Sequence, residues 1–293
     1  MTIAACTAIL IAGPTASGKS ALALDLARQR GGVIINADSM QVYRELRILT
    51  ARPSEHEERS APHRLYGHVS AADAYSVTRW LADVETALAE ARDLGLCPII
   101  VGGTGLYFKA LTEGLSPVPP VPSEVRERWR AEARERPEHL HEMLRQRDPI
   151  MAQRLGGSDV QRITRALEVI DATGASLAEW QSRPGDPLVR AETCERVLVV
   201  RPRAELHSRC DRRFDEMMAM GALDEVRALG QMNLPSELPA MRALGVAPLM
   251  AHLGGHLTLA EAVERAKTET RQYVKRQETW VRKFMRDWPT REL

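Results

Sequence analysis

Aromatic residues are scarce in this chain of 293 residues, at 4%. Leu, Ile, Val, Ala and Met must therefore build its core. Cysteine is equally sparse: Cys6, Cys97, Cys194 and Cys210 lie far apart. No C-x-x-C pair exists, which argues against a zinc ribbon and fits a reduced, cytoplasmic protein. No stretch approaches the ~20 unbroken apolar residues of a membrane span, so no membrane partner is expected. The apolar start, Met1 to Ala12, has no basic segment before it and is cut by Gly13-Pro14. It reads as a buried strand, not a signal peptide. Charge of one sign is also missing, since the net charge is +1. Lysine is rare: Lys19, Lys109, Lys267, Lys275 and Lys283 stand among 40 basic residues. Arginine suits bidentate phosphate contact and base stacking, but a GC-rich genome produces the same bias and is the larger cause. No internal repeat is visible.

What is present is an alternation of short apolar runs and helical spacing. Thr7 to Ala12, Val33 to Ile35, Pro98 to Val101 and Arg196 to Val200 have the length and apolar content of buried parallel strands. Ser20 to Arg30 and Ser76 to Leu94 carry apolar residues every three or four positions, as helices do. Such alternation predicts a parallel α/β sheet. The prolines of Ser116 to Pro122 favour an extended connector. Ser123 to about Glu179 then reads as all helix, and Ala204 to the end reads as helix again. At one domain per ~150 residues the length suggests two units. The expected division is 1–115 as the first part of the core, 116–190 as a helical insertion, and 191–293 as core completion and C-terminal helices.

Gly13-Pro14-Thr15-Ala16-Ser17-Gly18-Lys19-Ser20 fits G-x-x-x-x-G-K-[ST]. Backbone N–H groups of such a loop wrap a phosphate, Lys19 supplies a point charge, and Ser20 can ligate Mg²⁺. A buried strand precedes it and a helix follows, and the helix N-terminus favours the anion further. The fold class is therefore α/β, with a P-loop NTPase-like core. The motif does not name the phosphate compound. A kinase normally ends an apolar strand with an Asp that helps to hold Mg²⁺. Here Pro98 to Val101 ends in Gly102-Gly103-Thr104-Gly105, whereas the second strand leads to Asn36-Ala37-Asp38-Ser39. Asp38 either holds metal or does chemistry, so a small-metabolite kinase stays open.

Other candidates also have two readings. Asp38 or Ser39 precedes a helical-looking run and reads equally as an N-cap. Thr104 could cap a helix from Gly105 to Leu111 or present its hydroxyl to an anion. Arg213 reads alone as a solvated helix arginine. Arg162 and Arg165 share one helix face. Near the C-terminus, Tyr273, Gln277, Trp280, Phe284 and Trp288 recur as a core-facing stripe. Arg271, Lys275, Arg282 and Arg286 fall on another face, where a basic stripe could track phosphates, though Glu269, Glu278 and Asp287 dilute it.

Read in order, GPTASGKS, INADSMQVY (Ile35 to Tyr43), TARP (Thr50 to Pro53), PHRLYG (Pro62 to Gly67), VGGTGLYFKAL (Val101 to Leu111), GLSPVP (Gly114 to Pro119), QRITRALEV (Gln161 to Val169), RRFDEMMAMG (Arg212 to Gly221) with DEVRAL after it, and KRQETWVR (Lys275 to Arg282) resemble bacterial tRNA dimethylallyltransferases. The resemblance runs from about Ile9 to about Trp288. Arg52 stands where the family usually has lysine, and Val246 where it commonly has tyrosine. The resemblance implies dimethylallyl pyrophosphate as donor, N6 of the adenosine at tRNA position 37 as acceptor, Mg²⁺ as cofactor, and a monomer acting on the anticodon stem-loop. It implies Asp38 as the base that accepts the amine proton. It places Thr104 near the bridging oxygen and Arg213 on the pyrophosphate, with Lys19 and the rest of Gly13 to Ser20 as donor site. It implies tRNA contacts from Asp38, Ser39, Met40, Gln41, Thr104, Arg126, Gln161, Arg162, Ile163, Thr164, Arg165, Arg242, Lys275, Arg276 and Gln277. A transferase acting on free AMP or ADP is the near alternative, against which the helical insertion and the QRITRALEV run weigh. A non-catalytic RNA-binding protein with a relic loop is disfavoured by an intact Lys19, Ser20 and Asp38.

Overall fold

The apolar runs do form strands in the computed structural model, which describes residues 7–293. Cys6 and the first residues of the Met1 to Ala12 run lie outside the described residues. The chain divides into two units, one reaching to Thr112 and resuming over Leu188–Leu293, the other spanning Glu113–Pro187.

The first unit contains β1 (Ala8–Ala12), α1 (Lys19–Arg30), β2 (Gly32–Asn36), α2 (Glu55–Ser60), β3 (His63–Arg64), α3 (Val77–Asp93), β4 (Cys97–Gly102) and α4, which begins at Gly105 and runs to Glu113. It resumes with β5 (Cys194–Val200), α10 (Arg203–Ala219), α11 (Ala222–Gln231), α12 (Val246–Leu253), α13 (Leu259–Phe284) and β6 (Thr290–Glu292). The strands form one six-stranded sheet in the order β3-β2-β4-β1-β5-β6, with every pairing parallel. Alternation along β1 explains its unbroken apolar composition. Ile9 and Ile11 pack with Leu22, Ala23 and Ala27 of α1, while Leu10 and Ala12 pack on the other face with Trp80, Phe108 and Phe214. A parallel strand covered on both faces has no solvent side to keep polar, and each Ile or Leu side chain so buried contributes about 1.5–3 kcal/mol.

Caps set the ends of the helices. The Ser76 hydroxyl accepts the Arg79 N–H at the start of α3, and Thr258 with Glu261 forms a capping box on α13, each worth ~1 kcal/mol. Two strands escape the hydrophobic pattern. β3 has two residues, and β6 corrects the reading of the C-terminus as helix to its end. All three β6 residues are exposed, and what holds them is pairing with the β5 edge, in register Leu198 with Thr290. The stripe on α13 also differs in detail. Val274 and Gln277 are buried, and beyond the helix Met285 and Trp288, while Tyr273, Trp280 and Phe284 are only half-buried.

The second unit is helical: α5 (Ser123–Glu135), α6 (Leu140–Arg147), α7 (Pro149–Arg154), α8 (Val160–Thr173) and α9 (Leu177–Gln181). Its own core joins Trp129, Leu140, Leu144, Ile163, Leu167 and Leu177. Asp148 is buried and satisfied, accepting the Met151 N–H at 3.0 Å and the Ser176 hydroxyl at 2.8 Å. The proline segment before α5 holds neither helix nor strand.

Candidate active site

Strand order brings three loops together. β1 lies beside β4, and β4 beside β2, so the segments leaving their C-terminal ends are neighbours. Open α/β sheets place ligands at this edge. The first segment is the P-loop, whose carbonyls are held from outside. Arg209 Nε donates to the Ala16 carbonyl at 2.8 Å and Arg201 Nε to the Ser17 carbonyl at 2.9 Å. In a planar trans peptide the N–H points opposite its carbonyl, so the Gly18 amide is turned away from Arg201. Lys19 Nζ donates to the Pro14 carbonyl at 3.2 Å. The Ser17 hydroxyl is fully buried, with no partner among the described residues. An orphaned buried hydroxyl is costly and suits a loop whose partner is an oxyanion. Burial pulls the Lys19 ammonium down to about 8, with Asp38 opposing and Arg213 adding to the shift.

The second segment carries Asp38. The buried side chain of Asn36 fixes its backbone: Oδ1 accepts the Asp38 N–H at 2.8 Å, and Nδ2 donates to the carbonyls of Asp38 and Leu65 at 2.9 and 3.0 Å. Trp80 Nε1 donates to the Asn36 carbonyl at 2.8 Å. No helix follows Asp38; residues 38–50 run in turns, and Oδ1 accepts the Met40 N–H at 2.9 Å. The helix N-cap reading of Asp38 and Ser39 is therefore corrected to a local turn.

The third segment is Gly103-Thr104. Thr104 Oγ1 accepts the Ser39 N–H at 3.0 Å, which ties this turn to the Asp38 segment. Its hydroxyl serves that contact beside the start of α4. Glycine is required just before it, because a Cβ on Gly102 would lie 2.1 Å from the Ala37 carbonyl oxygen.

Two cavities open here. One, about 240 Å³, is mainly apolar, with Leu106, Phe108, Trp280, Val281 and Met285 around the Gly13 and Gly103 backbone. The other, about 250 Å³, is more polar and is lined by Thr15, Asp38, Ser39, Met40, Thr50, Arg213 and Arg242 among others. Tyr273 and Arg276 line both. Arg213 is half-buried, which corrects the reading of a solvated helix arginine. Burial lowers its pKa, with Cys210 and Asp38 opposing.

The remaining candidates separate by exposure. Arg126, Gln161, Arg162 and Arg165 are exposed on the helical unit. Arg162 pairs with Asp159 at 3.3 Å and Arg165 with Glu168 at 3.1 Å. Ile163 and Thr164, between them, are buried: Ile163 belongs to the unit's core, and Thr164 Oγ1 donates to the Val160 carbonyl. Lys275 is exposed, while Arg271 is engaged with Asp211 at 2.6 Å. Gln277 is buried and turned inward. Gln41 Nε2 donates to the Thr50 and Ala51 carbonyls at 2.8 and 3.0 Å. Arg52 donates to the Tyr43 and Arg44 carbonyls at 3.3 and 3.2 Å, and Val246 is buried.

Sequence reading missed Asn36, Arg201, Arg209 and Glu225. The Glu225 carboxylate accepts the N–H groups of Arg47, Ile48 and Leu49 at 2.6, 2.7 and 2.9 Å, fixing the segment that lines the polar cavity at Leu49 and Thr50. The DEVRAL run that holds Glu225 was the available signal.

Known proteins resemble this chain. The family model for IPP transferases matches residues 41–284, and that for isopentenyl transferases matches residues 6–73. A tRNA dimethylallyltransferase of Agrobacterium fabrum is 53% identical over 97% of this chain and 96% of its own length. Among solved structures, the tRNA isopentenylpyrophosphate transferase of Bacillus halodurans superposes with a TM-score of 0.67 at 29% identity, covering 97% of this chain and 89% of the other. A eukaryotic dimethylallyltransferase acting on tRNA gives 0.83 at 27% identity, with 97% and 73% covered. Identity of this order sustained along nearly the whole chain, on a shared α/β fold, places it: the chain belongs to the tRNA dimethylallyltransferase, or IPP transferase, family.

Proposed function

We propose that this enzyme transfers the dimethylallyl group of dimethylallyl pyrophosphate to N6 of the adenosine at tRNA position 37, 3′ of the anticodon. It acts as a cytoplasmic monomer on the anticodon stem-loop. The observation that carries the reading is the meeting of Asp38, Arg213 and the P-loop residue Thr15 around one cavity, with Lys19 feeling the charges of both Asp38 and Arg213.

The reaction breaks the bond between the prenyl C1 and the bridging oxygen and forms a bond from N6 to C1. Pyrophosphate leaves with the bonding pair, so stabilisation must be aimed at its oxygens. The P-loop amides, Lys19 and Arg213 supply positive ends for it, and Thr104 a hydroxyl. An exocyclic adenine amine is a poor nucleophile because its lone pair is delocalised into the ring. Asp38 takes the N6 proton as the new bond forms, a role worth typically 10²–10⁴-fold. The apolar cavity beside Gly13 and Gly103 receives the five-carbon chain, and the polar one receives the unstacked adenosine, since a stacked base hides its amine. Exposed Gln161, Arg162 and Arg165 suit a single-stranded loop, whose bases are read by stacking and edge contacts.

Mg²⁺ fits in a limited form. Ser20 is exposed on the first turn of α1, and no cluster of three His, Cys, Asp or Glu exists among the described residues. That donor set suits a hard ion held chiefly by phosphate oxygens and water. Bound there, it would neutralise charge on the leaving group.

The test is incorporation of radiolabelled dimethylallyl pyrophosphate into an anticodon stem-loop, with Mg²⁺ and without ATP. Label in the RNA is expected, lost in Lys19→Ala and in Asp38→Ala, with RNA binding by Asp38→Ala nearly intact. Wild-type turnover by Asp38→Ala would remove it as the base. Label in AMP in preference to the stem-loop would overturn the acceptor.

A further inference from the structure

Gln277 sits on the inner side of α13 at 7% exposure, and its amide bridges two loops. Oε1 accepts the Thr15 N–H at 2.9 Å, and Nε2 donates to the Gly103 carbonyl at 2.9 Å. A main-chain N–H only donates and a carbonyl only accepts, so the orientation of the amide is fixed by its partners. The fit is close on the Gly103 side, where a Cβ would lie 2.4 Å from Nε2. The neighbours Lys275 and Arg276 are exposed. One buried side chain thus joins the phosphate loop, the turn bearing Thr104, and a helix with basic residues on its outer face.

We propose that Gln277 is a positioning residue of the donor site and not an RNA contact. It locks the P-loop at Thr15 to the Gly103-Thr104 turn, so that the pyrophosphate cradle and the Thr104 hydroxyl keep a fixed spacing. The inference rests on the reading that the P-loop holds the donor pyrophosphate. Removing the amide leaves a main-chain N–H and a main-chain carbonyl without partners at the seam between the loops. Losses of this kind correspond to roughly 10- to 100-fold in donor KM.

Gln277→Met keeps the side chain's length without its amide. Gln277→Glu keeps the acceptor for Thr15 and loses the donor for Gly103. Both are assayed by varying dimethylallyl pyrophosphate at saturating anticodon stem-loop, with RNA affinity measured separately without donor. Expected is a donor KM raised roughly 10- to 100-fold in Gln277→Met and at least as much in Gln277→Glu, whose carboxylate would face the Gly103 carbonyl and add negative charge beside the phosphate loop, with RNA affinity within about threefold of wild type. A merely structural loss would lower kcat in proportion to the inactive fraction and leave KM alone, and that pattern in Gln277→Glu would overturn the proposal even where Gln277→Met fails to fold. Weakened RNA binding with an unchanged donor KM would make Gln277 an RNA contact instead. Since Lys19→Ala is expected to lack turnover, binding of an unreactive thio-linked analogue of the donor to it and to both Gln277 variants separates the two levels. If Lys19→Ala weakens analogue binding while neither Gln277 variant does, only this inference fails. If Lys19→Ala binds the analogue as the wild type does, the assignment of the P-loop fails.

Discussion

Raising the pH should weaken donor binding through Lys19, and the structure sets the size of the effect. Burial holds the ammonium near 8 instead of its ordinary value of 10.5. At pH 7 the group is about nine-tenths charged, and at pH 8.5 about three-quarters neutral. An anion bound in the P-loop favours the charged form, so binding returns the pKa toward its ordinary value and takes up the fraction of a proton that the free site has lost. The expected uptake is ~0.1 proton at pH 7 and ~0.7 at pH 8.5, with affinity falling about tenfold between pH 7 and pH 9. A terminal phosphate titrates at about 6, so above pH 8 the ligand contributes none of this. The assay is titration calorimetry of an unreactive thio-linked analogue of the donor in buffers of different ionisation enthalpy, since the buffer term reports protons directly. Equal uptake at pH 7 and pH 8.5 would refute the reasoning, as would the same uptake in Lys19→Met.

Two further outcomes are expected. Glu225→Ala removes three hydrogen bonds to the amides of Arg47 to Leu49 and should cost about 2–4 kcal/mol in a denaturant titration, with RNA KM rising more than donor KM because this segment lines the polar cavity. A change under 0.5 kcal/mol would show that water replaces the carboxylate at once. Arg162→Ala should weaken stem-loop binding and reduce the slope of log affinity against log salt by about one unit, whereas an unchanged slope would mean that Arg162 serves only its pair with Asp159.

Much of the core was legible because it is made of local patterns. Short apolar runs gave the central strands, and a glycine-rich motif between a strand and a helix gave the phosphate loop. Features set by distant partners were not legible. β6 has no apolar residue to announce it, and only the β5 edge makes Thr290–Glu292 a strand. The run after Asp38 has the composition of a helix, yet Asn36 and the Asp38 carboxylate take its first amides into a turn. Gln277 lies in a motif rich in basic residues, which suggests a wet surface. Helical period alone cannot tell a buried glutamine with two main-chain partners from an exposed one. Arg201 and Arg209 reach Ser17 and Ala16 across 184 and 193 residues of sequence, a separation at which no spacing rule operates.

The arginine tethers on the P-loop have a kinetic consequence. A loop whose carbonyls are fixed by the chain's own side chains has its amides arranged before any anion arrives, so little ordering remains to oppose binding. Such a cradle cannot distinguish the pyrophosphate half of the donor from free pyrophosphate, because it meets the same oxygens in both. The donor must compete with its own by-product. Escape of that by-product becomes a candidate pacing step of the cycle, and the rate of prenylation in the cell then depends on how low free pyrophosphate is kept.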